Sequence, residues 1–306
     1  MPNAGEIRQQ VAKEIDHRSR LAVPAFAGGV LYLLSSIIIS STLNGAPTVG
    51  LLQGLQPAFN GVGNPAQSPR AGEVKFISHH ALPLIAGSIL AAIAIGVLTL
   101  VLLLLLDATR FRRPETWAAA RPLVLYGGIA LATVSVGHQV VSAIETHKFA
   151  VGHDFSIHAV DQALTKGTAN MIIDYLDLLA GLALAAGMIT TMLSALRVGL
   201  LPRWMGFLGI FTGLLIFLPI GGAQLQVIPA FWMVMIGILF IGKWPTEPPA
   251  WVSGEARPWP TATERRAAAQ AEAGGAPAPA GAGAPAPARP APALSSRKRR
   301  KRPDRG

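Results

Sequence analysis

Three groups of side chains in this chain have types and spacings that could do chemistry. The first lies on two apolar stretches. Ser135, His138, Ser142 and Glu145 stand at offsets of 0, 3, 7 and 10, which is one face of a helix. Asn170, Asp174, Asp177 and Gly181, at offsets of 0, 4, 7 and 11, again share a face. Ionisable groups within apolar helices are costly unless partnered, so they are the first places to look for function. His138, Ser142, Asp174 and Asp177 are therefore candidates to bind a proton or a polar solute, with the imidazole able to titrate near neutral pH.

The second group is His79, His80, His153, Asp154, His158 and Asp161. Neutral imidazole with carboxylate suits zinc or another divalent ion. Asp154, His158 and Asp161 fall at i, i+4 and i+7, one face if the segment is helical. No HExxH spacing is present, and the same residues also fit an ordinary hydrated interface. The third group is Arg297, Lys298, Arg299, Arg300, Lys301 and Arg302. Such a run suits anionic lipid headgroups, a simpler reading than specific RNA or DNA binding for a chain built as described next.

The elements that must position these residues are written in the composition. Of the 306 residues, 51% are hydrophobic and 14% charged, against roughly 25% charged in a soluble domain. Several nearly uncharged blocks reach about 20 residues, the length that spans the hydrocarbon core. They place six spans at about 21–43, 80–106, 122–144, 171–196, 205–220 and 227–242. The fifth is the shortest and carries Pro219. Twenty-two of the 26 lysines and arginines fall on the side that holds both termini, and the bias alternates loop by loop. The positive-inside rule then puts both ends in the cytoplasm. Trp117, Trp204, Trp244, Trp251 and Trp259 fall on that same side, as interfacial tryptophans do.

Residues 1–20 precede the membrane domain of residues 21–242. Ile7, Val11 and Ile15 lie on one face among basic residues, so this segment reads as an amphipathic helix able to rest on the membrane surface. Residues 243–260, rich in Trp and Pro, read as extended along the interface. Residues 261–306 read as a short helix, then a disordered Ala/Pro-rich linker and the basic tail. Gly209 with Gly213, Gly181 with Ala185, and Ala183 with Gly187 are small-residue pairs suited to helix packing. The expected fold is all-α: a six-transmembrane helix bundle with cytoplasmic termini.

Other chemistries are excluded. The chain has no cysteine, hence no disulfide, thiolate ligand or thiol nucleophile. No P-loop, GxGxxG, GxSxG or EF-hand pattern is present, and no particular cofactor is indicated. The stretches 107–115 (DATRFRRPE), 197–210 (RVGLLPRWMGFLGI), 231–245 (FWMVMIGILFIGKWP) and 248–260 (PPAWVSGEARPWP), followed by an Ala/Pro linker and a Lys/Arg tail, resemble a group of actinobacterial multi-pass membrane proteins. That resemblance implies a bacterial cytoplasmic membrane and brings no assigned activity or catalytic residue. Three functions stay open at this point: a structural or accessory membrane protein, a small transporter or sensor using the His138/Asp177 face, and a metal-dependent membrane enzyme. The expected partners are membrane lipids, with anionic inner-leaflet headgroups at the tail, and a second copy of the chain.

Overall fold

Long runs of Leu, Ile, Ala and Val without polar alternation satisfy their backbone groups within one helix, and a membrane offers no other local solution. The computed structural model describes residues 4–50, 68–152, 154–218, 225–245, 247–260, 263, 264, 266, 267 and 270. Its helices are α1 (Ala4–Leu43), α2 (Ala71–His79), α3 (Ala81–Arg112), α4 (Ala120–Gly152), α5 (Ile157–Asp161), α6 (Thr168–Val198), α7 (Arg203–Phe217), α8 (Val227–Phe240) and α9 (Pro249–Ser253). A π-helical turn over Gln162–Lys166 joins α5 to α6. Among the described residues there is no strand. The chain divides into two units, 1–259 and 260–306, and the bundle is the first. In the second, residues 263, 264, 266, 267 and 270 are helical; the calls on the rest of the tail lie outside the described residues.

Four helical stretches are long and apolar enough to cross a membrane: Gly5–Leu43, Ala81–Arg112, Ala120–Gly152 and Ile157–Val198. α7 and α8 are apolar but shorter, at 15 and 14 residues. The six long elements of the bundle are α1, α3, α4, α6, α7 and α8, and chain neighbours among them run antiparallel. Glu14 of α1 meets Arg112 of α3, while Ile39 meets Gly87. Arg121 of α4 faces Asp107 of α3 at 3.7 Å, while Gly128 abuts Thr99. Val124 of α4 lies on Gly187 of α6, and His138 reaches Asp174. Leu196 of α6 covers Gly206 of α7, and Ala185 meets Gly213. The ring closes where α8 runs back along α1, Phe26 on Gly237 and Gly29 on Ala230.

The two halves of this bundle are filled differently. Around Arg112, Val198, Met205 and Phe240 the centre is packed solid by Leu102, Leu105, Leu184, Met188, Met192, Trp232 and Ile236. The Trp232 Nε1–H donates to the Met205 carbonyl at 3.0 Å, which removes its one polar liability. At the opposite end a small cap of Val74, Phe149, Val160 and Ala163 joins α2, α4, α5 and the π-turn.

The segment 4–20 is not a separate surface helix. It continues into α1 through Pro24 without a break. Its buried side chains are Glu14 and Arg18; of the apolar face, Ile7 and Val11 are half-buried against Gly254, and Ile15 is exposed. The small-residue pairs do lie at contacts: Gly209 and Gly213 on α6, and Ala183 with Gly187 on α4. One of these contacts is reciprocal. A Cβ at Gly127 would stand 2.6 Å from the Leu184 backbone nitrogen, and one at Gly187 would stand 3.0 Å from that of Val124. Only backbone atoms are there to yield, so Gly127→Ala is predicted to cost about 1–3 kcal/mol. A lowered melting temperature of the detergent-purified protein would register it; an unchanged value would mean the two helices are farther apart.

Candidate functional site

Where the solid core stops, the bundle encloses a cavity of about 450 Å³. All six long elements reach it. α1 contributes Tyr32, Ser35, Ser36 and Ser40, α3 Ala91 and Leu98, α4 Leu131 and Ser135, and α6 Asp177. Leu215 and Ile216 of α7 complete the wall with Pro229 and Met233 of α8. It lies towards the end of the bundle that holds the C-terminus of α1 and the N-terminus of α8. The walls are mainly apolar, with hydroxyls and one carboxylate placed among them, the usual make-up of a small-molecule site. The serines fit a helical lining because a hydroxyl can return its proton to its own helix. Ser135 does so, donating to the Ala132 carbonyl at 3.0 Å, and its oxygen lone pairs stay available to accept.

The face chosen on α4 and α6 divides into separate jobs. His138 Nε2 lies 3.5 Å from Asp174 Oδ1, with the side chains 47% and 57% exposed, so these two residues meet as their spacing requires. Asp177, one turn further along α6, lines the cavity and they do not. Ser142 is half-buried; its carbonyl accepts from the Thr146 hydroxyl at 2.7 Å, and it does not reach the cavity wall. Glu145 pairs with Lys148 at 2.8 Å. Asn170 is buried and structural: its Nδ2 donates to the Ala163 carbonyl at 3.0 Å, holding the π-turn against the start of α6.

The second group is described only in part. Among the described residues no three His, Asp or Glu side chains come together in a metal-binding group. His79 is exposed, while the His80 ring stacks on Phe76 with centroids 3.9 Å apart. Asp154 accepts from the Ser156 backbone N–H at 3.0 Å, and this bond holds its carboxyl below the usual carboxylate range. His158 is exposed, and Asp161 pairs with Lys166 at 2.8 Å. His153 lies outside the described residues, as do the tail residues Arg297, Lys298, Arg299, Arg300, Lys301 and Arg302.

The largest concentration of buried charge is at the other end of the bundle, where the residue spacing drew no attention. Arg112 and Glu14 form a two-pronged ion pair, Nη1 to Oε1 at 2.8 Å and Nη2 to Oε2 at 2.7 Å, with side chains 0% and 4% exposed. Arg112 also donates from Nη1 to the Ala108 carbonyl, and from Nε and Nη2 to that of Ala250. All five of its N–H groups are thereby satisfied. Gln10 Nε2 donates to Glu14 Oε1 at 3.0 Å. Beside this pair, Arg18 Nη1 donates to Glu247 at 3.2 Å and Nη2 to the Leu239 carbonyl at 3.3 Å.

Trp251 is the hub. The guanidinium of Arg18 lies 4.6 Å from its ring centroid and that of Arg112 5.5 Å. Its Nε1–H donates to the Leu200 carbonyl at 2.9 Å. The segment after α8 is therefore not simply extended along an interface. It holds the helix α9, buries Trp251 and crosses the bundle end as far as the Arg257 N–H, which donates to the Val198 carbonyl at 2.9 Å. One signal was present in the sequence: Gln10, Glu14 and Arg18 recur every fourth residue, a polar stripe facing the C-terminal end of α3, which supplies Arg112.

Breaking this pair from one side strands a buried charge. Arg112→Ala is predicted to cost about 3–5 kcal/mol, while Glu14→Leu with Arg112→Met together recover most of the loss. Thermal melting of the purified variants checks this, and equal losses for the single and double variants would contradict it. Compared with known proteins, the chain matches no family model, no curated protein and no solved structure.

Proposed function

We propose that this is a six-span protein of a bacterial cytoplasmic membrane, with both termini in the cytoplasm, that admits a small solute from the outer side into the Asp177 cavity. The single observation that carries the solute reading is that cavity, walled by all six long elements, with one carboxylate on an apolar lining. A protein acting only through helix packing has no use for it.

The frame of the proposal rests on packing and charge together. α7 lies antiparallel on α6 from Leu196 to Gly181, and α8 lies antiparallel on α1 from Phe26 outward, so both short helices follow spanning neighbours through the bundle. Each is about 22 Å long at 1.5 Å per residue, shorter than the roughly 30 Å hydrocarbon core. A helix that short crosses with local thinning of the bilayer. The end closed by Trp251 carries Arg18, Arg112, Arg113, Arg203 and Lys243, and the cavity end carries Arg70, Lys75, Lys148 and Lys166. The positive-inside rule makes the closed end cytoplasmic. The basic tail then follows on that side, where anionic headgroups attract it. The resemblance of residues 107–115 and 197–260 to actinobacterial membrane proteins agrees with this location.

The absence of cysteine makes the frame directly testable. Single cysteines at Thr165, Leu218 and Glu115 are exposed to solvent or lipid. With an impermeant maleimide on intact cells, Thr165→Cys and Leu218→Cys are predicted to react, and Glu115→Cys only after permeabilisation. Labelling of Glu115→Cys from outside would invert the topology, and an inert Leu218→Cys would remove the fifth span. The cavity has its own test. Ala91→Phe puts a ring into the space, so it is predicted to preserve or raise the melting temperature, whereas in a packed core it would cost about 1–3 kcal/mol.

A further inference from the structure

Resting on the solute-binding reading above, we infer that the cavity selects an organic cation, an amine or quaternary ammonium carried on an apolar body. Charge complementarity carries the inference. Among the residues that line the cavity, Asp177 is the one with a formal charge, and no lysine, arginine or histidine faces it there. Asp177 makes no hydrogen bond or ion pair with a described residue. The nearby imidazole of His138 lies 3.5 Å from Asp174 and, when protonated, acts on Asp177 through space without contacting it. Asp177 is an exposed side chain, so its carboxylate is open to an entering ligand, and no cationic side chain among the described lining residues competes for it.

The rest of the wall suits the same ligand. Ser135 spends its proton on the Ala132 carbonyl and turns acceptor lone pairs to the space. The Tyr32 ring offers a face that attracts a cation. Leu98, Leu131, Ile216 and Met233 supply apolar surface for the body of the molecule. An anion would meet the Asp177 carboxylate and a neutral solute would make no use of it, while the Tyr32 and Ser40 hydroxyls and the Gln226 amide can serve the polar groups of any ligand. A volume of about 450 Å³ admits a compact aromatic or branched aliphatic amine.

The test compares two probes of nearly identical shape, benzyltrimethylammonium and its neutral carbon analogue neopentylbenzene. Each is titrated calorimetrically into the full-length protein in nanodiscs, with empty nanodiscs as the reference for partitioning into lipid. The expected result is saturable binding of the cation, at least ten-fold tighter than that of the neutral analogue, and lost in both Asp177→Asn and Ala91→Phe. Melting temperatures establish that both variants are folded. Equal binding of the two probes, undisturbed by Asp177→Asn but blocked by Ala91→Phe, overturns cation selection and leaves the solute cavity standing. Saturable cation binding that survives both variants overturns the site itself. Binding of neither probe to a protein that Ala91→Phe still stabilises overturns the cation assignment alone.

Discussion

The ion pair between Glu14 and Arg112 is the constraint on which the arrangement of this bundle depends. Two opposite charges buried together are favourable only when geometry and hydrogen bonding are complete, and here every N–H of Arg112 has an acceptor. Those acceptors come from three places far apart in the chain: Glu14 on α1, Ala108 on α3 and Ala250 on α9. A slip of any one element by a residue would leave a buried charge or carbonyl unpaired. The pair thus fixes the register of α1 against α3 and holds the returning segment across the end of the bundle. Trp251 extends that grip to the Leu200 carbonyl between α6 and α7.

Fastening one end has consequences for the other. From the clasp outward the centre is filled by large side chains up to the level of Leu98 and Met233, and beyond that the same six elements enclose space. Glycines control how close the helices come, Gly29 and Gly237 between α1 and α8, Gly127 and Gly187 between α4 and α6. In a membrane this close packing replaces the hydrophobic drive that would join helices in water. The result is a bundle solid at one end and hollow at the other, with its polar groups sorted to match. The buried Glu14–Arg112 pair stays in the solid end beside Arg18, whose Nε is buried with no partner among the described residues, and the Asp177 carboxylate stands on the wall of the hollow one. The proposed solute site makes use of that asymmetry.

How much of this was legible in the sequence follows from the physics of each feature. Helix positions were legible because spanning length and apolar composition are local properties. The pairing of His138 with Asp174 was legible because two consecutive antiparallel helices with facing polar stripes have few ways to pass one another. The separate role of Asp177 was not, since one helical turn decides whether a carboxylate faces a neighbour or a cavity. Asn170 shares its stripe yet serves the π-turn, a backbone feature with no sequence signature. The clasp was hidden for a different reason. Positive charge near a membrane end reads as topology information, so Arg18 and Arg112 were counted only for sidedness, although both side chains are buried in ion pairs. Trp251 likewise resembled an interfacial anchor until its partners were in view.

The most direct test of the proposal that the cavity is closed from the cytoplasm and open to the outside is a two-sided accessibility measurement at Ser135. In this cysteine-free chain, Ser135→Cys gives a single reporter on the cavity wall. Its reaction rate with a small, charged, membrane-impermeant methanethiosulfonate would be measured in right-side-out and in inside-out vesicles. The account predicts modification from the outer side and essentially none from the cytoplasmic side. Faster modification from the cytoplasmic side, or none from either, would contradict it.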